Sequence, residues 1–505
     1  MSCLVLWEFS RKQDYVFSSN KLMECVGASL IIRDLTENFD GYNLKEENFI
    51  IKGGGKTLYL FEKEQEGEEF IEEYSLNIIK KYPGLELFMV KTNFDINKDD
   101  IKEAINKIYK KLEEKKSSRL YSGNQIGFGI ERECSSTKYP ATSYYKEDND
   151  KKYISTEIMV KRNIGNDGDK EFFDYLIPKG YKFNKLMTDL VKDDAKGYTS
   201  VVHIDGNQMG KKIKSLEEKI NKNSKESDEE FNRRYIKVLK KFSLEINEKY
   251  SHAFKEMCTR IVERNQEKLK DVTKLQEKIM PVRPLIMAGD DVTYISNGYM
   301  GIESARLFIE CLNKSQIIIN DINLGTLHAC AGIALVKKGC PFIKAYNLAE
   351  ELCQNAKRML LDRKYEDVSA IDFHLSQGET NKSIYEIREE EYRSESGKAI
   401  LTMRPLVLNS ASDWKNYNNF LISYRNVKET IDKNGIGRNK IKVLREILKK
   451  GEEETKYFFK FYKIDEGRYL RDLEGTRGDY CFNELDNTCM YLDAIEVMDL
   501  FIELD

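Results

Sequence analysis

The chain has 505 residues, 41% of them hydrophobic, 11% aromatic and 33% charged, enough for two to four domains that each bury a core. With 82 basic against 85 acidic side chains the net charge is −3, which excludes a global electrostatic pull toward nucleic acid and leaves only local basic patches. The ten cysteines form no CxxC pair, so a zinc ribbon or disulfide framework is not expected and reduced, cytoplasmic thiols are; the apolar run at 4–7 is too short for a signal peptide or membrane span.

Leu4-Val5-Leu6-Trp7 predicts a strand, followed by a turn through 8–14 and a helix from about Tyr15 past Leu22. Residues 49–61 read as strand, glycine turn and strand, 68–81 as a charged helix stopped by Pro83-Gly84, and 85–90 as another strand. Gly53-Gly54-Gly55-Lys56-Thr57 touches the phosphate-loop pattern, but position 50 is Ile and residues 58–61 read as strand rather than helix. A lysine-rich amphipathic helix is expected over 101–116. Beyond it runs a polar stretch, 121–168, with Cys134 alone and a flexible loop over 146–152.

Residues 201–204 form a β-like run that ends at Asp205. Gly206-Asn207-Gln208-Met209-Gly210 then turn into a helix, where backbone amides would face a phosphate. His203 lies two residues before Asp205 on the same strand face and reads as a structural histidine. The charged insert 215–280 predicts a solvated helical pair, with an RNA- or partner-binding arm as the alternative. Next come two apolar strands, 284–288 and 291–295, joined through Ala288-Gly289-Asp290-Asp291. Adjacent carboxylates at the tip of a buried hairpin repel each other and are costly to desolvate without a cation. Oxygen donors favour Mg²⁺, or Mn²⁺ in its place; a plain polar turn is the alternative. A helix over 302–319, a strand over 327–336 and an amphipathic helix over 346–360 follow. Cys330 and Met287 read as core.

Laid on this hairpin, the glycine hairpin places Ile50-Ile51 on Leu285-Ile286, Gly53-Gly54 on Ala288-Gly289, Gly55-Lys56 on Asp290-Asp291 and Tyr59 on Tyr294, an internal duplication. Lys56 cannot ligate a cation, so the first copy is not expected to do chemistry. Gly54 and Lys56 remain candidates to contact a nucleotide phosphate across the two copies, or Lys56 is a solvated turn lysine. Strand, helix, hairpin, helix, strand is the ferredoxin-like order. Residues 386–505 predict helices at 414–427 and 440–450, broken at Arg404-Pro405. A basic start at Arg438, Lys440, Lys442 and Arg445 reads as solvated, and 489–505 as a docked tail helix.

Asp205-Gly206-Asn207-Gln208-Met209-Gly210 with Ala288-Gly289-Asp290-Asp291 resembles the palm domains of the large subunit of type III CRISPR effector complexes, relatives of the GGDEF nucleotidyl cyclases. Gln13-Asp14-Tyr15-Val16-Phe17, Gly27-Ala28-Ser29, Ala331-Gly332-Ile333-Ala334 and Asn355-Ala356-Lys357 carry the likeness further. It implies an α+β chain of two ferredoxin-like palms: a degenerate one at 1–130, a linker or small subdomain at 131–196, a catalytic one at 197–385, and a helical domain at 386–505. It implies Asp205, Asp290 and Asp291 as catalytic metal ligands, with Gly206 to Gly210, Gly289 and Lys357 on the nucleotide. ATP would be the substrate and a cyclic oligoadenylate the product; CRISPR-type subunits and RNA would be partners, with no membrane involved and homo-oligomerisation open. The nuclease domain that often precedes the first palm is not expected, since residue 4 already starts a strand and His203, His252, His328 and His374 include no His-Asp pair. A non-catalytic nucleotide- or RNA-binding scaffold and a GTP-using dinucleotide cyclase are the competing readings.

Overall fold

The computed structural model describes residues 2–119, 127, 129–147, 150–192, 197–378, 382–409, 413–432, 436–464, 470 and 472–505. Branched and aromatic side chains alternate through β1 (Cys3–Ser10), which is buried on both faces. After it come α1 (Lys12–Val16), α2 (Leu22–Glu37), β2 (Phe49–Gly53), β3 (Lys56–Phe61), α3 (Glu64–Lys81), β4 (Glu86–Asn93) and α4 (Ile101–Ser117). The strands form one antiparallel sheet in the order β2-β3-β1-β4, the ferredoxin-like arrangement. Under it Trp7 packs against Phe39, Phe70 and Tyr74 at ring distances of 5.5, 5.1 and 5.9 Å. The single helix expected from Tyr15 is two helices. Ser19 Oγ accepts the Lys21 amide at 3.0 Å, a local bond that competes with the helical ladder.

The loop expected over 146–152 is instead a hairpin, β5 (Ser143–Glu147) and β6 (Asp150–Ile154), whose tip residues 148–149 lie outside the described residues. Tyr144 and Tyr153 pair across it, the aromatic contact that the charged composition conceals. An unforeseen helix follows, α5 (Thr156–Phe172), packed so closely on α2 that a Cβ on Gly27 would lie 1.8 Å from the Lys161 carbonyl oxygen.

β7 (Lys182–Phe183) precedes a second sheet, which begins with β8 (Tyr198–Gly206). Its helices α6 (Met209–Lys219), α7 (Asp228–Arg264) and α8 (Gln266–Leu269) lead through β9 (Ile279–Met280) to the hairpin β10 (Val282–Ala288) and β11 (Asp291–Asn297). α9 (Gly301–Leu312), the small hairpin β12 (Gln316–Ile319) and β13 (Ile322–Thr326), β14 (Ala329–Lys337), α10 (Phe342–Asp362) and β15 (Ala370–Leu375) complete it. The order β10-β11-β8-β14 repeats the first sheet. β15 extends it, pairing parallel to β14. Even the irregularity recurs: the register shifts between Phe49 and Ile51 in one hairpin and between Pro284 and Ile286 in the other.

Two expectations are corrected here. The insert is not a solvated pair, because α7 buries a stripe that includes Phe231, Tyr235, Phe242, Ile246, Tyr250, Phe254 and Met257, with its Lys and Glu residues on the opposite face. The helix expected over 302–319 ends at Leu312; the β-branched run Ile317-Ile318-Ile319 forms a strand.

The remaining elements are α11 (Ile384–Glu391), β16 (Leu406–Val407), α12 (Tyr417–Asp432), α13 (Arg438–Leu448), α14 (Glu452–Tyr462), β17 (Gly478–Asp479), β18 (Phe482–Asn483) and α15 (Leu492–Val497). β16 joins the edge of the second sheet through β15. The whole is an α+β fold. The two halves meet where Phe17 stacks on Tyr346 at 4.7 Å and Asn20 Oδ1 accepts the Phe342 amide at 3.0 Å. Among the described residues no helix is long and apolar enough to cross a membrane.

Candidate active site

Three carboxylates separated along the chain reach one end of the second sheet through its register. β11 runs antiparallel to β8 with Asp291 directly opposite Asp205, and the Gly206 amide donates to the Asp290 carbonyl at 3.2 Å. Gly206 is required there: a Cβ would stand 2.8 Å from the Asp290 Cβ. Gly289 turns the hairpin at φ +69°, outside the comfortable range of other residues.

Electrostatically the cluster is unfavourable as it stands. Burial, then the neighbouring Asp205 charge, pushes the Asp290 carboxyl up to about 6. Burial also lifts Asp291 to about 6 against the attraction of Lys12. Asp291 keeps 27% of its side chain in reach of solvent, yet its Oδ1 is buried and accepts no hydrogen bond from the described residues. His203 Nδ1 lies 3.6 Å from that oxygen and 3.0 Å from Thr293 Oγ1; burial lowers its pKa, so the ring is neutral and gives little compensation.

Lys357, on α10, places Nζ 2.5 Å from Asp205 Oδ2 and donates to the Gly206 carbonyl at 3.1 Å. Burial works against its charge, but the Asp205 carboxylate outweighs it and holds the ammonium above the usual lysine value. Two groups near the acids escaped the sequence reading. Lys12, from α1 of the first half, donates to the Gly54 carbonyl and lines a small cleft between the halves with Gly54, Gly55, Ala288 and Asp291. Glu350, seven residues before Lys357, is raised by burial and by Asp291 and Asp205. Its two-turn spacing from Lys357 on one helix face was the available signal.

Lys357 also lines a cavity of about 320 Å³, together with Asn207, Gln208, Gly210, Lys211, Lys212, His328, Leu360, Leu361, Tyr365, Asp367 and Val368. Gln208 caps α6 in the left-handed region (φ 58°), which aims the first amides of α6, from Met209 and Gly210 on, out of the strand end. The Asn207 side chain is partly engaged, donating to the Val368 carbonyl at 2.9 Å. Gly54 abuts Ala288, where its Cβ would lie 3.6 Å from the carbonyl oxygen. Lys56 does not reach toward the acids; its Nζ sits 2.9 Å from Glu8 and over the Tyr109 ring at 5.1 Å.

The donors fit a hard divalent cation: oxygen ligands only, one buried carboxylate oxygen without a hydrogen-bond partner among the described residues, and two carboxyls held up by burial and by the Asp205 charge. Among the described residues no three acidic, His or Cys side chains are already drawn into a ligand set. In this state the lysines supply the compensating charge.

No protein-family model and no curated protein matches the sequence. Solved structures do. A chain of a Csm1-Csm4 cassette in complex with cA4 matches at TM-score 0.55 and 12% identity, over 99% of this chain and 69% of that one. The cassette in complex with AMPPNP gives 0.56 and 13% over the same shares. Csm1 in T. onnurineus gives 0.53 and 13%, again over 99% and 69%. At such identity the likeness is one of fold: this chain is folded like Csm1, the type III CRISPR large subunit.

Proposed function

We propose that the chain is a divalent-metal-dependent nucleotidyltransferase of the palm type, which joins ATP into cyclic oligoadenylate as the large subunit of a type III CRISPR-like effector. The observation that carries the reading is the register pairing of Asp205 with Asp291, with Asp290 beside them and Lys357 on the same strand end. Asp205, Asp290 and Asp291 would hold the cation, Mg²⁺ or Mn²⁺. Bound there, such an ion supplies a lowered pKa at a ribose hydroxyl and neutralises charge on the departing pyrophosphate.

The chain's own groups divide the remaining work. The first amides of α6 and the Lys357 ammonium would bind and orient the triphosphate, Lys357 by turning from Asp205 toward a more highly charged partner. In the neighbouring cavity Leu360, Tyr365 and Val368 would offer apolar surface to a flat base. The first half closes the opposite side with Gly54 and Lys12. The solved neighbours carry cA4 and AMPPNP and include Csm4, which supports adenine nucleotides as ligands and a Csm4-like subunit as partner.

The test is to incubate the purified protein with Mg²⁺ or Mn²⁺ and each NTP in turn and separate the products chromatographically. Pyrophosphate release with ATP that vanishes in the Asp290→Ala, Asp291→Ala variant is the expected result. Release with GTP alone would redirect the reading to a dinucleotide cyclase. Nucleotide binding without turnover, with or without target RNA and partner subunit, would make the chain a scaffold.

A further inference from the structure

The proposed centre rests on a hairpin tip, and hairpin tips are held weakly by their own strands. Here the support comes from α7, inside the insert whose sequence reads as a solvated arm. The Gly289 amide, immediately before the two acids, donates to Asn247 Oδ1 at 2.8 Å. The other side of the same amide group faces the first half: a Cβ on Gly53 would lie 3.0 Å from Asn247 Nδ2. Asn247 therefore stands where the two duplicated turns meet.

One helical turn on, and so on the same face of α7, is Tyr250. It is 1% exposed, and among the described residues its hydroxyl has no hydrogen-bond partner. That hydroxyl lies 2.6 Å from where a Gly206 Cβ would be, a point itself 2.8 Å from the Asp290 Cβ. An unpaired buried hydroxyl costs about 1–3 kcal/mol in general, so its retention beside a carboxylate wants a reason. Burial and the nearby Asp290 and Asp205 charges keep the phenol protonated, and hence a donor.

We propose that Asn247 and Tyr250 are positioning residues, through which α7 sets the place of Asp290 and Asp291: Asn247 by fixing the Gly289 peptide, Tyr250 by presenting a hydroxyl to the space between Asp290 and the end of β8. Neither touches substrate. The inference builds on the nucleotidyltransferase reading, but two of its three tests do not depend on turnover.

The full-length protein and the variants Asn247→Ala, Asn247→Asp and Tyr250→Phe are compared by amide hydrogen exchange at Gly289, by Mn²⁺ titration followed through the electron paramagnetic resonance of the free ion, and by pyrophosphate release from ATP. Asn247→Ala should speed exchange at Gly289 at least about tenfold, the loss of one hydrogen bond of about 1.4 kcal/mol. It should weaken Mn²⁺ binding about 10–100-fold, as removal of a ligand's support does. The turnover number should fall about 10-fold or more with the KM for ATP little changed, because misplaced ligands act on the reaction rather than on ground-state binding. Asn247→Asp keeps the acceptor and should keep the Gly289 protection. Tyr250→Phe should leave Gly289 exchange alone while weakening Mn²⁺ binding and turnover. Unchanged exchange in Asn247→Ala, or faster exchange with unaltered Mn²⁺ binding, overturns the proposal. A wild type that binds Mn²⁺ but releases no pyrophosphate defeats the proposed function alone; one that binds no Mn²⁺ defeats both.

Discussion

In the first half, Lys56 at the start of β3 stands opposite Glu8 near the end of β1; in the second, Asp291 at the start of β11 stands opposite Asp205 at the end of β8. The match continues around the site. The left-handed residue after the strand is Arg11 (φ 49°) in one half and Gln208 (φ 58°) in the other. Lys116, on α4, contacts Glu8 at 2.9 Å as Lys357, on α10, contacts Asp205 at 2.5 Å, and each is the sixteenth residue of its helix. The first half thus keeps one acid and its lysine but replaces the opposing acid by a second lysine. Its site is closed by ion pairs. Glu8 is held below the usual glutamate range, because Lys56 and Lys116 outweigh its burial, whereas Asp290 and Asp291 are pushed up to about 6. One backbone supports both states. The difference lies in which side chains face the strand end, and it separates a cluster neutralised by its own lysines from one whose carboxyls are held above their ordinary range, the one proposed to take a cation.

The strongest way to break this contrast is to move the first half's chemistry into the second. Asp290→Gly with Asp291→Lys copies Gly55-Lys56 onto the acid hairpin. Turnover of ATP should fall by about a thousandfold or more, equivalent to about 4 kcal/mol of lost transition-state stabilisation. The fold should persist, since the glycine hairpin already shows that this backbone accepts the pair. Pyrophosphate release and the melting temperature together check it. A variant that retains turnover would move the chemistry elsewhere.

The two equivalent lysines should separate next. Lys357→Ala removes a charged hydrogen bond proposed to transfer to the triphosphate, so kcat/KM should drop about 10–100-fold, for about 1.5–3 kcal/mol. Lys116→Ala should leave turnover within about twofold and instead lower the melting temperature, because Glu8, only 15% exposed, loses one of its two partners. Equal effects of the two substitutions on turnover would mean that the first half also handles nucleotide.

Much of this was legible in the sequence. Asp205 and the Asp290-Asp291 pair announce themselves by charge at the end of apolar strands, and the glycine hairpin aligns with the acid hairpin residue by residue. Glu8 and Lys116 did not announce themselves, although they are the counterparts of Asp205 and Lys357. A lone Glu in a strand and one Lys among many in α4 are ordinary; only the strand register and the matched helix positions give them meaning. The packing of α7 was hidden for a similar reason. Its Lys and Glu residues dominate composition, while the buried face is spread over 37 residues. The break between α9 and β12 was missed because a run of isoleucines suits helix or strand until a partner strand is found.

Lys56→Ala sharpens the comparison at the level of stability. It leaves Glu8 with Lys116 alone and strips the cation from the Tyr109 ring, a loss of about 1–2 kcal/mol. Denaturant unfolding should report that loss with no change in Mn²⁺ binding at the acid hairpin. Weaker Mn²⁺ binding in this variant would show that the closed site communicates with the open one.

The smallest effect concerns β15, the strand by which the second sheet exceeds the first. Its His374 is 5% exposed, and burial, with Arg388 and Arg404 nearby, lowers its pKa to about 3. A depressed folded value means that its contribution to stability is complete well above the ordinary 6.5 and is lost as pH falls below that value toward 3. Between pH 6.5 and 5.5 the loss from this one group is about 1 kcal/mol. His203 and His328, also depressed by burial, add to the slope in the same direction. The decisive comparison is therefore His374→Asn against wild type, unfolded by denaturant at several pH values: the variant's slope should be shallower by one proton's share. Parallel slopes would mean that the imidazole finds a proton in the folded state, with Arg388 and Arg404 too well neutralised by Asp372, Asp493 and Glu496 to prevent it.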